Sequence, residues 1–154
     1  MLQYLCATAT QGSADAYAET AVSTGLSNVV KTAMRIRSIE WFLPALPSAD
    51  SDISVALKRK TGSSVAFSNV AVIAGLSKKV ELTTSGSPVY EQFPNVQYYE
   101  RDMDLLIVEE TLYFQIDSTT TSAANVAYLR IGFEYRTVTE NERLQILAAT
   151  ATAA

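Results

Sequence analysis

The sequence has 154 residues, 16 acidic and 12 basic side chains, a net charge of −4, one cysteine and no histidine. It therefore has no imidazole general base, no Ser-His-Asp or Cys-His pair and no histidine metal ligand, and a lone cysteine excludes an intrachain disulfide and a four-cysteine zinc site. Only 18% of the residues are charged, while Ala, Thr and Ser number 21, 16 and 15, a composition that favours a subunit packing against other proteins.

This length suits one domain whose core needs no disulfide or metal, so we expect a single β-sandwich domain over residues 1–154. No apolar run is long enough for a transmembrane helix. The first residues lack the basic region and the sustained apolar run of a signal peptide, so we do not expect one. The acidic balance of the chain argues against binding to nucleic-acid phosphates, which needs a basic stripe or tail. We expect the basic residues at 58–60 and 78–79 to lie in solvated loops or strand edges.

The first part of the chain predicts short strands separated by turns. Segment 2–10 is Thr-rich and apolar, and residues 16–24 favour a strand over a short Ala-rich helix. Residues 29–43 also predict a strand, closed by Pro44 and Pro47. Strict alternation would place Val30, Met34 and Ile36 on one face and Arg35, Arg37, Ile39 and Trp41 on the other.

The middle of the chain continues the pattern. Ile53, Val55 and Leu57 alternate with Ser54, Ala56 and Lys58, which predicts a half-buried antiparallel strand. Residues 65–73 predict another strand, which Gly75 separates from a segment at 76–84. Residues 84–88 predict a loop, and 89–101 predict irregular or edge structure because Pro94 interrupts them.

The last third carries the clearest alternation. Residues 105–108 and the alternating Leu112, Phe114 and Ile116 predict two strands, with Glu109 and Glu110 in a turn or bulge between them. Residues 118–122 predict a flexible polar loop. The next strand, 126–138, places Ala127, Leu129, Ile131, Phe133 and Tyr135 on one face.

The chain ends in a predicted helix. Thr139 and Glu142 fit a capping box that opens a short helix at about 140–149, and we expect a flexible tail at 150–154. The whole pattern predicts an all-β fold, an eight-stranded jelly-roll (Greek-key) sandwich with a short C-terminal helix. Other Greek-key sandwiches share this local pattern, so the strand order stays open.

The chemical groups of the sequence predict no catalytic, cofactor-binding or metal-binding residue. The acidic stretch around Asp102, Asp104 and Glu109 could serve a glycosidase or a calcium site, but solvated carboxylates are the favoured interpretation. Asp50 and Asp52 lack the rest of a calcium-loop pattern. Without a histidine beside it, Cys6 is expected to be a small buried hydrophobe.

The tyrosines offer a different surface chemistry. Tyr113 and Tyr128 are predicted on outward faces of strong strands, and Tyr98 and Tyr99 lie in the segment before them. Exposed aromatic rings serve either as contacts with a neighbouring subunit or as stacking platforms for sugars. We favour the subunit contact and keep a carbohydrate-binding β-sandwich module as the alternative.

Two segments, 104–118 and 124–138, followed by the helical tail to about 150, resemble the last third of single jelly-roll capsid proteins of tailless icosahedral DNA viruses, including those with an internal membrane. The resemblance implies a viral coat subunit without enzymatic activity or cofactor. It implies assembly into capsomers with copies of itself and with other capsid proteins.

The same resemblance implies a place in the virion, synthesis in the host cytoplasm and a position next to an internal viral membrane. Many small-virus coat proteins carry a basic N-terminal arm, which residues 1–30 lack. We therefore expect a shell component without sequence-specific nucleic-acid binding. An enzyme using Asp102, Asp104 and Glu109 ranks last among the hypotheses.

Overall fold

The computed structural model describes residues 1–27, 31–44, 51–67, 71–82, 88–89, 95–100, 103–119, 121 and 123–151, with the backbone alone at 80–82, 88–89, 95–100 and 150–151. In chain order the elements are β1 (Gln3–Thr10), β2 (Ala18–Ser23), β3 (Thr32–Pro44), β4 (Ser51–Lys58), β5 (Val72–Leu82), β6 (Pro88–Val89), β7 (Asn95–Glu100), β8 (Leu105–Ile107), β9 (Thr111–Thr119), β10 (Val126–Thr137) and α1 (Glu140–Ala151).

The strands form two antiparallel sheets. Sheet A has the order β1-β10-β3-β7, with β8 also pairing with β3, and sheet B has the order β2-β9-β4-β5-β6. The pairing is nested, because β1 pairs with β10, β2 with β9, β3 with β7 and β8, and β4 with β5. This nesting is that of a jelly roll, with β7 and β8 as two parts of one strand and β6 a two-residue addition. The predicted eight-stranded sandwich is confirmed, and its strand order is now fixed.

The core lies between the sheets and follows the predicted alternation. Ile53, Val55 and Leu57 of β4 are fully buried, as predicted. The inward residues of β9 and β10 pack against them, and Tyr135 continues the inward face of β10 past the core, where it becomes exposed. These buried residues are Leu112, Phe114, Ile116, Ala127, Leu129, Ile131 and Phe133.

The predicted faces of β3 are wrong because the strand contains a β-bulge. Ser38 lies opposite Gly132, but Ile36 lies opposite Phe133, so Arg37 is an extra residue in the ladder. An extra residue reverses the alternation that follows it. Met34 and Ile36 before the bulge and Ile39 and Trp41 after it therefore all enter the core. Val30 lies outside the described residues.

The predicted break at Gly75 is also wrong, since β5 runs through it. Val65 and Phe67, predicted as part of a strand, instead lie in a loop before β5. A Cβ at Gly75 would overlap the Phe67 ring, so the missing side chain is what lets this ring approach the strand. The predicted loop at 84–88 falls outside the described residues except Pro88. β7 pairs only with β3 within the described part of the chain, as the predicted edge structure at 89–101 requires.

A buried polar cluster ties the β1–β2 turn to the segment between β9 and β10. Gln11 Nε2 donates to Ser118 Oγ at 2.8 Å, and Gln11 Oε1 accepts from the backbone N–H of Asn125 at 2.9 Å. Asp15 accepts from both the backbone N–H and the hydroxyl of Thr121. The flexible loop predicted at 118–122 is wrong for Ser118 and Thr121, which are buried and held by these bonds.

The C-terminal helix begins at the predicted capping box. Thr139 N–H donates to Glu142 Oε2 at 2.7 Å, and Glu142 N–H donates to Thr139 Oγ1 at 3.1 Å. Ile146 and Leu147 pack on a small cluster at the end of sheet A where β3 begins. The helix continues to Ala151, two residues beyond the predicted end, and the rest of the predicted tail lies outside the described residues. No helix in the described part of the chain is long and apolar enough to cross a membrane.

Candidate assembly surface

The acidic residues singled out in the sequence do not share one site. Asp104 is exposed and pairs with Arg35 at 2.7 Å, whereas Glu109 pairs with Arg59 at 2.9 Å in a half-buried position. Glu109 and Glu110 form the bend between β8 and β9, as predicted. Asp102 and the side chain of Glu100 lie outside the described part of the structure.

The described residues also provide no metal centre. They contain no group of three or more His, Cys, Asp or Glu side chains placed to hold a metal ion. Ser51 and Asp52 belong to strand β4, and Asp50 is outside the described residues.

Several polar side chains lie elsewhere than predicted. Lys60 and Lys79 are exposed as expected, but Lys58, Lys78 and the Arg59 side chain are buried. Lys58 lies under the segment that follows β4 and donates to Ser64 O at 3.4 Å, whereas Lys78 lies opposite Ile53 and points inward. Cys6 is exposed, so its prediction as a buried hydrophobe is wrong. Cys6 falls on the outer face of β1, since Leu5 and Ala7 take the inward positions.

Part of the outer face of sheet B is covered by the chain itself. Residues 59–67, here called the covering loop, fold across it, and Glu19 of β2 is the main attachment point. The Glu19 carboxylate accepts hydrogen bonds from Thr61 Oγ1, from Gly62 N–H at 3.0 Å, from Tyr17 Oη at 2.7 Å and from Gln115 Nε2 at 2.8 Å. Farther along the same face, Phe67 lies over Gly75. We call this surface the covered face.

The electrostatics of the covered face follow from these bonds. Burial opposes the ionisation of Glu19, but the hydrogen bonds from Thr61, Tyr17, Gln115 and Gly62 outweigh it together and lower the pKa of its carboxyl. Burial and the neighbouring Glu19 carboxylate raise the pKa of Tyr17. Glu19 is therefore a charged acceptor that fixes the covering loop by charge-assisted hydrogen bonds.

Within the described residues, no loop covers the outer face of sheet A on its β1 side. Tyr4 is 60% exposed and Tyr128 is 53% exposed, and Cys6 lies between their positions on the β1–β10 ladder. Thr8 is opposite Tyr128, and Phe42 of β3 lies opposite Tyr128 on its other side. We call this surface, formed by Tyr4, Cys6, Thr8, Phe42, Tyr128, Arg130 and Glu40, the open face.

The charges of the open face neutralise each other. Arg130 pairs with Glu40, its direct cross-strand neighbour, and its guanidinium lies 5.4 Å from the centre of the Tyr4 ring. Glu40 is buried in this contact, while the Arg130 side chain is 42% exposed. The face is thus aromatic and locally neutral, which are properties of the centre of a protein interface.

The tyrosines predicted as a shared platform lie on opposite sides of the sandwich. Tyr113 is half-buried on the covered face, whereas Tyr128 belongs to the open face. Tyr98 and Tyr99 lie opposite Trp41 and Glu40 along β7, where only the backbone is described.

The sequence interpretation missed Tyr4 and the Arg130–Glu40 pair. The alternation of Tyr4, Cys6 and Thr8 with Leu5 and Ala7 was the available signal for the first of these. The ion pair depends on the bulge in β3, since only the register after it brings Glu40 next to Arg130.

No protein-family model matches the chain, and no curated protein matches it. Among solved structures, this chain is similar to a chain in the structure of tomato aspermy virus. The two are 13% identical, the match covers 86% of this chain and 76% of the viral one, and the TM-score is 0.43. For Desmodium yellow mottle tymovirus the identity is 7%, the coverages are 86% and 87%, and the TM-score is 0.36.

A bacterial structure has the same degree of similarity. Dimeric latent PorU from Porphyromonas gingivalis has 9% identity, coverage of 86% of this chain and 13% of that chain, and a TM-score of 0.41. The two virus structures agree with the resemblance stated from the sequence, but all three TM-scores lie below 0.5, so none of these similarities carries an inference about function. We therefore infer function from the surfaces of this chain.

Proposed function

We propose that this chain is a structural subunit of a viral capsid that assembles with copies of itself into capsomers of an icosahedral shell. The observation that carries the proposal is the open face, a neutral aromatic surface whose Tyr4 and Tyr128 rings are exposed among the described residues, while residues 59–67 cover part of the outer face of sheet B. The jelly-roll pairing supports it, because this architecture recurs in viral capsid domains.

The properties of the open face fit a contact with protein. Tyr4 and Tyr128 offer large rigid rings at low entropic cost, and Arg130 is held by Glu40 before any partner arrives. A neutralised ion pair avoids the penalty of burying an isolated charge in an interface. The face suits a neighbouring subunit better than a phosphate or a charged small molecule.

The proposal includes partners and a location. We place the chain in the virion, made in the host cytoplasm, in contact with its own copies and with other capsid proteins. The absence of Lys and Arg from residues 1–30 supports a role in the shell rather than in binding the genome. An internal viral membrane below the shell is part of the same proposal, and so is the absence of enzymatic activity.

Size-exclusion chromatography with light scattering, followed by negative-stain microscopy, tests the proposal directly. Over a concentration series we expect the purified chain to grow from small oligomers into capsomers or particles. A protein that stays monomeric at high concentration and shows no particles would contradict it.

A carbohydrate-binding module is the second candidate, because the Tyr128 ring is exposed and jelly rolls also occur as lectin domains. A glycan array tests this candidate. It predicts hits that disappear with Tyr128→Ala and persist with Tyr113→Ala, because only Tyr128 belongs to the open face. An array without hits removes it.

A further inference from the structure

We infer that β1 is the strand through which two copies of this chain pair edge to edge, antiparallel, joining their A sheets into one continuous sheet. This inference rests on the proposed function, because it names the contact from which the shell would grow. It concerns the edge of β1 that faces away from β10, here called the free edge.

The backbone shows which groups the free edge presents. Gln11 N–H donates to Asn125 O at 3.0 Å, and these residues follow the β1–β10 ladder in register. In an antiparallel ladder hydrogen-bonded and non-hydrogen-bonded pairs alternate, so the odd residues of β1 bond to β10. The even residues, Tyr4 and Cys6 among them, direct their N–H and C=O groups towards the free edge.

One of these outward groups already has a partner. Thr20 Oγ1 donates to Thr8 O at 2.8 Å, which confirms the direction of the even residues and closes the edge at that end. Among the described residues, β1 pairs with β10 alone. Tyr4 and Cys6 therefore form the part of the edge that remains open to another strand.

The strands at the two sides of sheet B carry features that discourage pairing, and β1 carries none of them. On β5, Lys78 lies opposite the buried Ile53 and points inward, a device that protects edges, and Lys79 follows it. On β2, Glu19 holds the covering loop beside the edge. The first charged side chain of the sequence is Asp15, so β1 has eight residues without charge or proline, and its ladder has no bulge.

A second copy is the occupant that fits this edge. In a pairing with Leu5 on the two-fold axis, Tyr4 of each copy lies opposite Cys6 of the other, and each such pair exchanges both backbone hydrogen bonds. The uncharged strand meets its own sequence without like-charge repulsion. The pairing also places the two open faces side by side on one surface.

Proline substitution tests the pairing. Cys6→Pro removes an N–H that makes no bond to β10 but is needed across the free edge, and proline is tolerated at such positions of edge strands. The matched control is Ala21→Pro on β2. The bond from Thr24 N–H to Glu110 O shows that the odd residues of β2 likewise face away from β9.

We expect Cys6→Pro to keep the far-ultraviolet circular dichroism of the wild type and to weaken association at least about tenfold, while Ala21→Pro associates like the wild type. Unchanged association of Cys6→Pro overturns the inference. Larger particles that persist in Cys6→Pro overturn it while leaving the capsid proposal intact. A wild type that dimerises through β1 but never grows further overturns the capsid proposal alone, and a strictly monomeric wild type overturns both.

Cysteine crosslinking gives a readout that does not depend on tolerance of proline. Opposite residues of a hydrogen-bonded antiparallel pair have Cα atoms about 5.5 Å apart, within the range that a disulfide spans. We expect Tyr4→Cys to form an interchain disulfide with Cys6 under mild oxidation. Thr8→Cys is the control and should not crosslink, because Thr8 lies opposite Leu2 in this register. An associating Tyr4→Cys protein without the disulfide overturns the inferred pairing.

Discussion

The outer faces of the two sheets differ in what the chain places on them. On the covered face, Glu19 accepts hydrogen bonds from Tyr17 just before β2, from β9 and from the covering loop, and Phe67 lies directly on Gly75. On the open face, Tyr4 and Tyr128 reach into solvent and the central ion pair is satisfied within the sheet. Polar contacts thus stabilise the monomer on the covered face, whereas the open face keeps exposed rings that a partner can contact.

With two unlike outer faces, one sandwich can serve both stability and association. A face that supplies contacts for a neighbour must stay flat and uncovered, so it contributes little to the stability of the isolated chain. The opposite face can then be closed by a loop at no functional cost. Substitutions on the covered face should therefore change the free energy of unfolding, and those on the open face should change association.

Alanine substitutions at Gly75 and Gly132 test the contrast between the two faces and have the largest expected effect on stability. Gly75→Ala places a Cβ in the Phe67 ring, which must leave the strand, and we expect a loss of about 1–3 kcal/mol in unfolding free energy. Gly132→Ala, directly opposite Tyr4 of the open face, meets the Ser38 hydroxyl, which can rotate, and the edge of the Tyr4 ring at 3.3 Å, so its loss should stay below about 1 kcal/mol. Urea denaturation of both variants measures the difference. Equal losses would contradict the comparison.

Glu19→Gln tests the attachment of the covering loop. The amide keeps the size of the side chain but removes the charge, and one of its two ends can no longer accept from the surrounding donors. We expect a loss of about 1–2 kcal/mol in unfolding free energy and faster proteolysis within residues 59–67. Thr20→Val, on the same strand, is the control and should leave proteolysis of the loop unchanged. Wild-type proteolysis of Glu19→Gln would show that the loop is held by other contacts.

The sequence was sufficient for the sandwich but not for the division between its faces. Strict alternation located β4, β9 and β10 because side chains there simply follow the pleat. It failed at Arg37, where one extra residue reverses the faces of β3, and at Gly75, where a missing side chain admits Phe67. Both depend on contacts between distant segments, which a local pattern does not contain.

The same reason explains what was missed at the surface. Glu19 carries little local signal, because its donors other than Tyr17 lie 42 and 43 positions away in the covering loop and 96 positions away in β9. The position of Cys6 was within reach, since Leu5 and Ala7 mark the inward face of β1. The prediction for Cys6 rested on the chemistry of its thiol, whereas its exposure follows from the alternation of β1.

Acid should weaken the covered face in a predictable window. The folded state lowers the pKa of Glu19 below its ordinary value of 4.5, so its contribution is complete above that pH and is lost as the pH falls through the folded pKa. We expect the stability difference between wild type and Glu19→Gln to shrink below pH 4.5 and to depend little on salt.

Asp104 provides the contrasting case. Its hydrogen bond to Arg35, and the charges of Arg35, Arg37 and Arg136, lower the pKa of its carboxyl, and its stabilisation is likewise lost in acid. This exposed pair is screened by salt, so the effect of Asp104→Asn should fade in high salt while that of Glu19→Gln persists. Chemical denaturation at several pH values and salt concentrations checks both. Salt sensitivity at Glu19 would contradict its role as an acceptor of uncharged donors.

Substitution of Tyr128 is expected to have the smallest effect on stability, and it distinguishes the roles of the two faces most directly. Tyr128→Ser removes an exposed ring that packs little within the monomer, so the unfolding free energy should change by less than about 0.5 kcal/mol. Tyr113→Ser is the matched substitution on the covered face, where the half-buried ring should contribute more to stability. Light scattering at equal concentrations should show weaker association for Tyr128→Ser and wild-type association for Tyr113→Ser. If Tyr113→Ser were instead the variant that dissociates, the surface used for assembly would lie on sheet B, and the loop that covers it would have to move aside for a partner.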